Sequence, residues 1–127
     1  MPPGIDRQVL SGNAGAQRQN EASLYMKIDG LAGEARGVFK NTTLDMRRYK
    51  KLKLFVHAQD PTDRYQGIDS ESKFFIRFGS DATDNYYEYE SALKITPQNA
   101  TAPMDIWPFE NDVDFNIQDF VDAKIRR

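Results

Sequence analysis

The chain has 127 residues, no cysteine, 17 Lys and Arg against 19 Asp and Glu, and a formal net charge of -2. That length suits one ordinary domain, the near-balance of charge argues against a polyanion-binding surface and so against nucleic acid, and the missing cysteine excludes disulfides and thiolate chemistry. No apolar run approaches the ~20 residues that a membrane-spanning helix needs, while eight Phe, six Tyr and one Trp favour a β-protein, whose pleated surface packs rings well.

Residues 1–20 are rich in Gly, Ala, Gln and Asn and follow no period, which predicts an extended N-terminal arm that adds little to stability. Met1-Pro2-Pro3-Gly4 opens on a polar stretch, not the basic-then-apolar pattern of a signal peptide, so any export signal is expected upstream. The domain proper is expected over 21–127. Leu24, Met26 and Ile28 alternate with Tyr25 and Lys27, the period of a half-buried strand, and Asp29-Gly30-Leu31-Ala32-Gly33 has turn chemistry. A second strand is predicted over 34–40 around Val38 and Phe39. A connection with one helical turn near Leu44-Asp45-Met46-Arg47 follows.

The clearest strand is 51–58, with Leu52, Leu54, Val56 and Ala58 on one face and Lys53, Phe55 and His57 on the other. Asp60-Pro61-Thr62-Asp63 ends it, and a polar loop runs to Ser72. Phe74, Ile76 and Phe78 then mark the core face of a fourth strand, with Phe75 and Arg77 opposite. A six-residue turn, 79–84, leads to a fifth strand from Asn85 to Ile95, read with a bulge. Thr96 to Pro103 is loop, and Trp107-Pro108 is an edge or corner. Val113, Phe115 and Ile117 continue as strand, and the spacing of Ile117, Phe120, Val121 and Ile125 fits an amphipathic helix. The predicted fold is all-β, an antiparallel jelly-roll-like β-sandwich with a short C-terminal helix. A barrel is the alternative, and the sequence leaves both open. Leu24, Met26, Ile28, Leu52, Leu54, Val56, Phe74, Ile76 and Phe78 are the expected shared core.

Several runs, in this order and spacing, resemble one family. They are Asn20-Glu21-Ala22-Ser23-Leu24, Ala35-Arg36-Gly37-Val38-Phe39-Lys40 and the stretch from Leu44-Asp45-Met46-Arg47-Arg48 to Phe55-Val56-His57-Ala58. The strongest are Phe75-Ile76-Arg77-Phe78-Gly79-Ser80-Asp81 and Asn85-Tyr86-Tyr87-Glu88-Tyr89-Glu90, followed by Trp107-Pro108 leading to Asn111 and by Lys124-Ile125-Arg126. The chain resembles the SprA/Sov family, the outer-membrane translocon of the type 9 secretion system. The resemblance implies a soluble module of a very large barrel protein that exports folded cargo and supports gliding motility. It carries no catalytic motif, cofactor or metal. The partners it implies are other parts of the translocon, its accessory subunits and secreted cargo. The strands here lack the lipid-facing alternation and aromatic girdles of a barrel wall. The domain is therefore expected not to span the membrane but to lie on its aqueous side, periplasmic or at the cell surface.

The residues offer little chemistry of their own. His57 is the sole histidine, and a metal or base site built on it would need partners such as Asp60 and Asp63; a packed or hydrogen-bonded ring is the commoner outcome. Asp81-Ala82-Thr83-Asp84-Asn85, joined by Asp60, Asp63 and Asp69, has oxygen ligands for calcium but no EF-hand order, and Asx turns account for the same residues. Glu88 and Glu90 share one strand face, which suits a solvated surface better than a glycosidase pair flanking a cleft. No nucleophile–base constellation and no Gly-rich phosphate loop is present. The aromatics say more: Phe55, His57, Phe75, Arg77, Tyr86, Tyr87 and Tyr89 are the candidate binding or docking face. The C-terminal helix is expected to cover part of it. A non-enzymatic interaction module is thus the leading expectation, and a carbohydrate-binding module using those rings as a glycan platform is the alternative.

Overall fold

The computed structural model describes residues 2–6, 9–10, 17–18, 22–30, 33–62 and 67–126, with the backbone alone at 9–10, 17–18 and 67–71. The chain divides into two compact units, Gly4–Asp45 and Met1–Pro3 with Met46–Arg127.

In the first unit, β1 (Val9–Leu10) pairs antiparallel with β2 (Gln17–Arg18). These two strands lie inside the expected N-terminal arm, of which residues 1, 7–8, 11–16 and 19–20 fall outside the described residues. Of the turn predicted around residue 30, Leu31 and Ala32 lie outside the described residues; Gly30 and Gly33 take φ of 68° and 71°, a region that side-chain-bearing residues enter only at a cost. The two strands predicted on either side of it do not form. Neither 22–30 nor 33–45 joins a ladder, and Leu24, Val38 and Phe39 are 78%, 63% and 84% exposed. Alternation writes a strand's two faces, but a strand exists only where a partner edge satisfies its backbone, and that partner is not encoded locally.

The second unit holds the remaining strands: β3 (Lys51–Phe55), β4 (Gly67–Gly79), β5 (Tyr86–Ile95) and β6 (Asp112–Asn116). A 3-10 turn at Met46–Arg48 precedes β3, close to the helical turn expected there. β4 and β5 form one antiparallel ladder, with Phe78 opposite Tyr87, Arg77 opposite Glu88, Ile76 opposite Tyr89 and Phe75 opposite Glu90. The irregularity expected in β5 falls in β4 instead, between Asp69 and Lys73, and β4 begins within the stretch read as loop. β3 pairs antiparallel with β6, Leu52 opposite Phe115 and Leu54 opposite Val113. Beyond Phe55 the chain changes partners. Val56 N–H donates to the Asn111 carbonyl at 3.2 Å, and Thr96 N–H donates to the Ala58 carbonyl at 2.8 Å beside a parallel bridge between Gln59 and Thr96.

Alternation puts Leu52 and Leu54 on the same face of their ladder as Val113 and Phe115, and Phe74, Ile76 and Phe78 on the same face as Tyr89. These faces meet. Val113, Phe115 and Ile117 are the buried centre, and Met46, Leu52, Leu54, Val56, Phe74, Ile76, Phe78, Tyr89 and Phe120 pack around them. Six of the nine expected core positions are therefore core, while Leu24, Met26 and Ile28 are exposed. The mainly antiparallel β architecture with a short C-terminal helix is present. Among the described residues the strands pair as three two-stranded sheets, none closed into a barrel.

Two short helices complete the unit: α1 (Pro103–Ile106), with proline in its first turn, and α2 (Ile117–Ile125). The latter starts where β6 stops, and Ile117 N–H donates to the Lys50 carbonyl at 2.9 Å. That bond extends the β3–β6 ladder into the first residue of the helix, so Ile117 is only 5% exposed.

Candidate functional site

The seven residues expected to form one face are placed in three settings. On the outer face of the β4–β5 ladder, the Arg77 guanidinium lies 5.0 Å from the Phe75 ring centre and 4.2 Å from that of Tyr86. Its Nε donates to Glu88 at 2.5 Å and one terminal nitrogen to the Ala82 carbonyl at 2.8 Å. Lys73 donates to Glu90 at 2.7 Å on the same face. Both glutamates weighed as a catalytic pair are thus engaged by cations. Arg77 thus makes cation–π contacts with two rings.

A second setting lies at the corner beyond β3. The Trp107 ring stands edge-on to Phe55, centres 6.3 Å apart, and tilted against His57 at 5.4 Å. His57 Nδ1–H donates to the Ile106 carbonyl at 2.8 Å; since a carbonyl only accepts, Nδ1 carries the proton, which leaves Nε2 as acceptor in the neutral ring. Among the described residues no group of three or more His, Cys, Asp or Glu side chains gathers around a point, and no ring contact joins this corner to Phe75, Arg77 or Tyr86.

The third setting is the interior. Tyr89 stacks on Phe115 with ring centres 4.7 Å apart, and Tyr87 meets Phe120 at 5.5 Å. A strand's period of two sends Tyr86 outward and Tyr87 and Tyr89 inward. The expectation that α2 covers the Phe55, His57, Phe75 and Arg77 surface is corrected by the same contacts. Phe120 packs on Phe78, Tyr87 and Phe115, because a helix that continues directly from β6 stays on the side where Phe115 already points. Ile125 remains 77% exposed.

The acidic turn is held by Asx chemistry. Asp81 Oδ1 accepts from the backbone N–H of Thr83 (2.9 Å), Asp84 (2.6 Å) and Asn85 (3.1 Å), and Oδ2 from the Asn85 side-chain amide at 2.7 Å. Asp60 does the same on a smaller scale, its Oδ1 accepting from Thr62 N–H and Oγ1–H at 2.9 and 2.7 Å; Asp63 and the Asp69 side chain lie outside the described residues. At the foot of the turn Gly79 is obligatory, since a Cβ there would run into the Asn85 carbonyl.

These donors, the Asp84 N–H first and then the Asn85 side chain, the Asn85 N–H and the Thr83 N–H, hold the Asp81 carboxyl far below the usual carboxylate range. A folded-state value below the unfolded ~3.9 means that the stabilisation is complete above that pH and is lost as pH falls through the folded value. Asp81→Ala is therefore expected to lower the melting temperature by an amount that is constant from neutral pH to about pH 5 and shrinks below about pH 4. Melting scans of both proteins across that range check it, and a gap that does not change with pH would contradict it.

Two residues that periodicity did not single out fasten the ladders together. Asn111, 4% exposed, pairs with the Lys94 peptide as another backbone would: Nδ2–H donates to the Lys94 carbonyl and Lys94 N–H donates to Oδ1, both at 2.8 Å. Its own carbonyl accepts from Val56, so one side chain and one peptide bind β5 to the end of β3. Thr96, 5% exposed, directs its hydroxyl to the Asp105 and Ile106 carbonyls at 3.3 and 3.4 Å. Only the resemblance had drawn attention to Asn111, as part of the stretch after Trp107-Pro108.

A sequence model for a family of motility-related and secretion proteins, SprA_N, matches residues 1–127. The chain belongs to the SprA_N family. No curated protein and no solved structure matches it. The match covers every segment that carries the resemblance, including the Phe75–Asp81 and Asn85–Glu90 runs, which are now the two arms of the β4–β5 hairpin. A SprA_N chain is thus motility- and secretion-related, and among its described residues no helix is long and apolar enough to cross a membrane.

Proposed function

We propose that this SprA_N chain is a non-catalytic structural and interaction module of an outer-membrane translocon serving protein export and gliding motility, on the aqueous side of that membrane. The observation that carries the reading is the family match over the whole chain. The side-chain arrangement is in keeping with it. Glu88, Glu90 and Asp114 are engaged by Arg77, Lys73 and the Lys51–Lys53 pair, and the rigid exposed features are aromatic and cationic surfaces suited to protein contact. The partners are other parts of the translocon, reached through the Phe75–Arg77–Tyr86 surface and the Phe55–His57–Trp107 corner. Of the three tyrosines, Tyr86 is the one a glycan platform would use, since Tyr87 and Tyr89 lie against Phe120 and Phe115.

Photo-crosslinking from Phe75 and His57 in the intact secretion machinery tests the reading. Crosslinks to translocon subunits or to other parts of the parent protein are the expected result. Their absence, with retention on polysaccharide at micromolar strength that Tyr86→Ala abolishes, would replace this reading with carbohydrate binding.

A further inference from the structure

Charge is nearly balanced over the chain but not along it. Five of its 17 basic residues and none of its 19 acidic ones fall between Arg47 and Lys53, as Arg47, Arg48, Lys50, Lys51 and Lys53. The fold holds this run in place and outward. Met46 packs against the buried centre, Tyr49 N–H donates to the Met46 carbonyl at 3.1 Å to close the 3-10 turn, and the Lys50 carbonyl accepts from Ile117 N–H. Along β3 the period that turns Leu52 and Leu54 inward puts Lys51 and Lys53 on the opposite face. Arg48, Lys50, Lys51 and Lys53 are all exposed, and Tyr49 among them is 51% exposed.

The carboxylates beside the run do not match it. Asp114, opposite Lys53 in the ladder, is shared by Lys51 Nζ at 3.3 Å and Lys53 Nζ at 3.1 Å, so one negative charge answers two positive ones. Asp112 lies further along, opposite Phe55. Among the described residues neither Arg48 nor Lys50 forms an ion pair. Clustered Lys and Arg are attracted to anionic lipid headgroups, and an exposed tyrosine suits the same depth, where its ring and its hydroxyl are both accommodated. An acidic protein segment would have to align a carboxylate with each cation, whereas a headgroup layer supplies mobile phosphates wherever the cations stand. Because the chain as a whole is slightly acidic, the attraction also orients it, this side toward the lipid. We infer that Arg48, Lys50, Lys51 and Lys53, with Tyr49, are a membrane-contact surface that holds this side of the domain against the phosphates of an anionic lipid leaflet. The inference rests on the proposed placement of the chain beside an outer membrane.

Flotation of the full chain with vesicles tests it. At about 0.1 M salt the chain is expected to bind phosphatidylcholine vesicles containing about one-third phosphatidylglycerol, and not phosphatidylcholine alone. Binding should be lost at about 1 M salt, as the screening length falls from about 10 Å to about 3 Å. Each cation near such a surface is worth about fivefold in affinity, so Arg48→Ala with Lys50→Ala should weaken binding about 30-fold. Lys27→Ala with Arg36→Ala changes the net charge equally at two other exposed positions and should alter binding less than about threefold. An unchanged circular dichroism spectrum verifies that the variants fold. No binding to the anionic vesicles, equal losses in the two double variants, or binding to soluble polyglutamate as tight as to vesicles of the same charge would each overturn the inference, the last in favour of an acidic protein partner. Crosslinking from Phe75 and His57 reports the translocon contacts separately, so a negative vesicle result with those crosslinks present removes this inference alone.

Discussion

Phe115→Ala is expected to destabilise the chain by about 3–5 kcal/mol, the range for removing a buried aromatic ring from a core. Phe115 is 9% exposed and stands at the point where three elements meet. Tyr89 of β5 stacks on it at 4.7 Å and Phe120 of α2 meets it edge-on at 5.0 Å, while Leu52 of β3 is its cross-strand neighbour. Alanine leaves a cavity that these neighbours, anchored on separate elements, cannot close by a common movement. The measurement is urea or thermal unfolding against the parent chain. Phe109→Ala is the control, since Phe109 is 78% exposed and its loss should cost no more than about 0.5 kcal/mol. Where Phe115→Ala does not fold, Phe115→Leu keeps most of the volume and should cost about 1–2 kcal/mol. Equal effects at positions 115 and 109 would contradict the packing described here.

Asn111→Ala is the second large effect, at about 2–4 kcal/mol, because it leaves the Lys94 N–H and C=O without partners in a part-buried setting, at about 1–3 kcal/mol for each unsatisfied group. Asn111→Asp is the more informative variant. It keeps the oxygen that accepts from Lys94 N–H but replaces the Nδ2 donor with a second acceptor facing the Lys94 carbonyl. The introduced carboxyl is disfavoured as an anion by burial and by that carbonyl, so its folded-state pKa lies above the unfolded ~3.9. A raised carboxyl pKa means that the folded chain binds the proton more tightly. The variant is then least stable at neutral pH and regains stability as pH falls through the raised value toward about pH 4. Unfolding midpoints of the parent and both variants at pH 7 and pH 4.5 test this. A pH-independent deficit in Asn111→Asp would show that the side chain does not pair with the Lys94 peptide.

How much of this was legible depended on the distance over which each feature is encoded. The inward faces of 51–58 and 74–78 could be read from alternation alone, as could the turn between β4 and β5 and the change from strand to helix near Ile117. In each case the signal lies within one element, in its period or its turn residues. Tyr86, Tyr87 and Tyr89 follow the same period, which puts their rings on both faces of one strand, but that Phe120 and Phe115 lie against Tyr87 and Tyr89 is a matter of tertiary packing. The site partners were less accessible. Trp107 beside Phe55 and His57, and Asn111 beside Lys94, join positions far apart in the chain, and neither leaves a periodic trace.

Composition, alternation and the ordered motif runs thus determined the antiparallel β character, six of the core side chains, the Asx-stabilised turn and the SprA_N kinship. The tertiary structure decided which edges pair, and with them everything that depends on pairing. Leu24 and Leu54 sit in equally regular alternations, but β3 has β6 opposite it and becomes core, while 22–30 has no ladder and stays exposed. It also decided that Phe120 of α2 packs on the interior rings of Phe78, Tyr87 and Phe115. The physical reason is the same in both cases. Side-chain period fixes which way a residue faces along its own strand, whereas burial needs a second element, and that element is chosen by the free energy of the whole assembly.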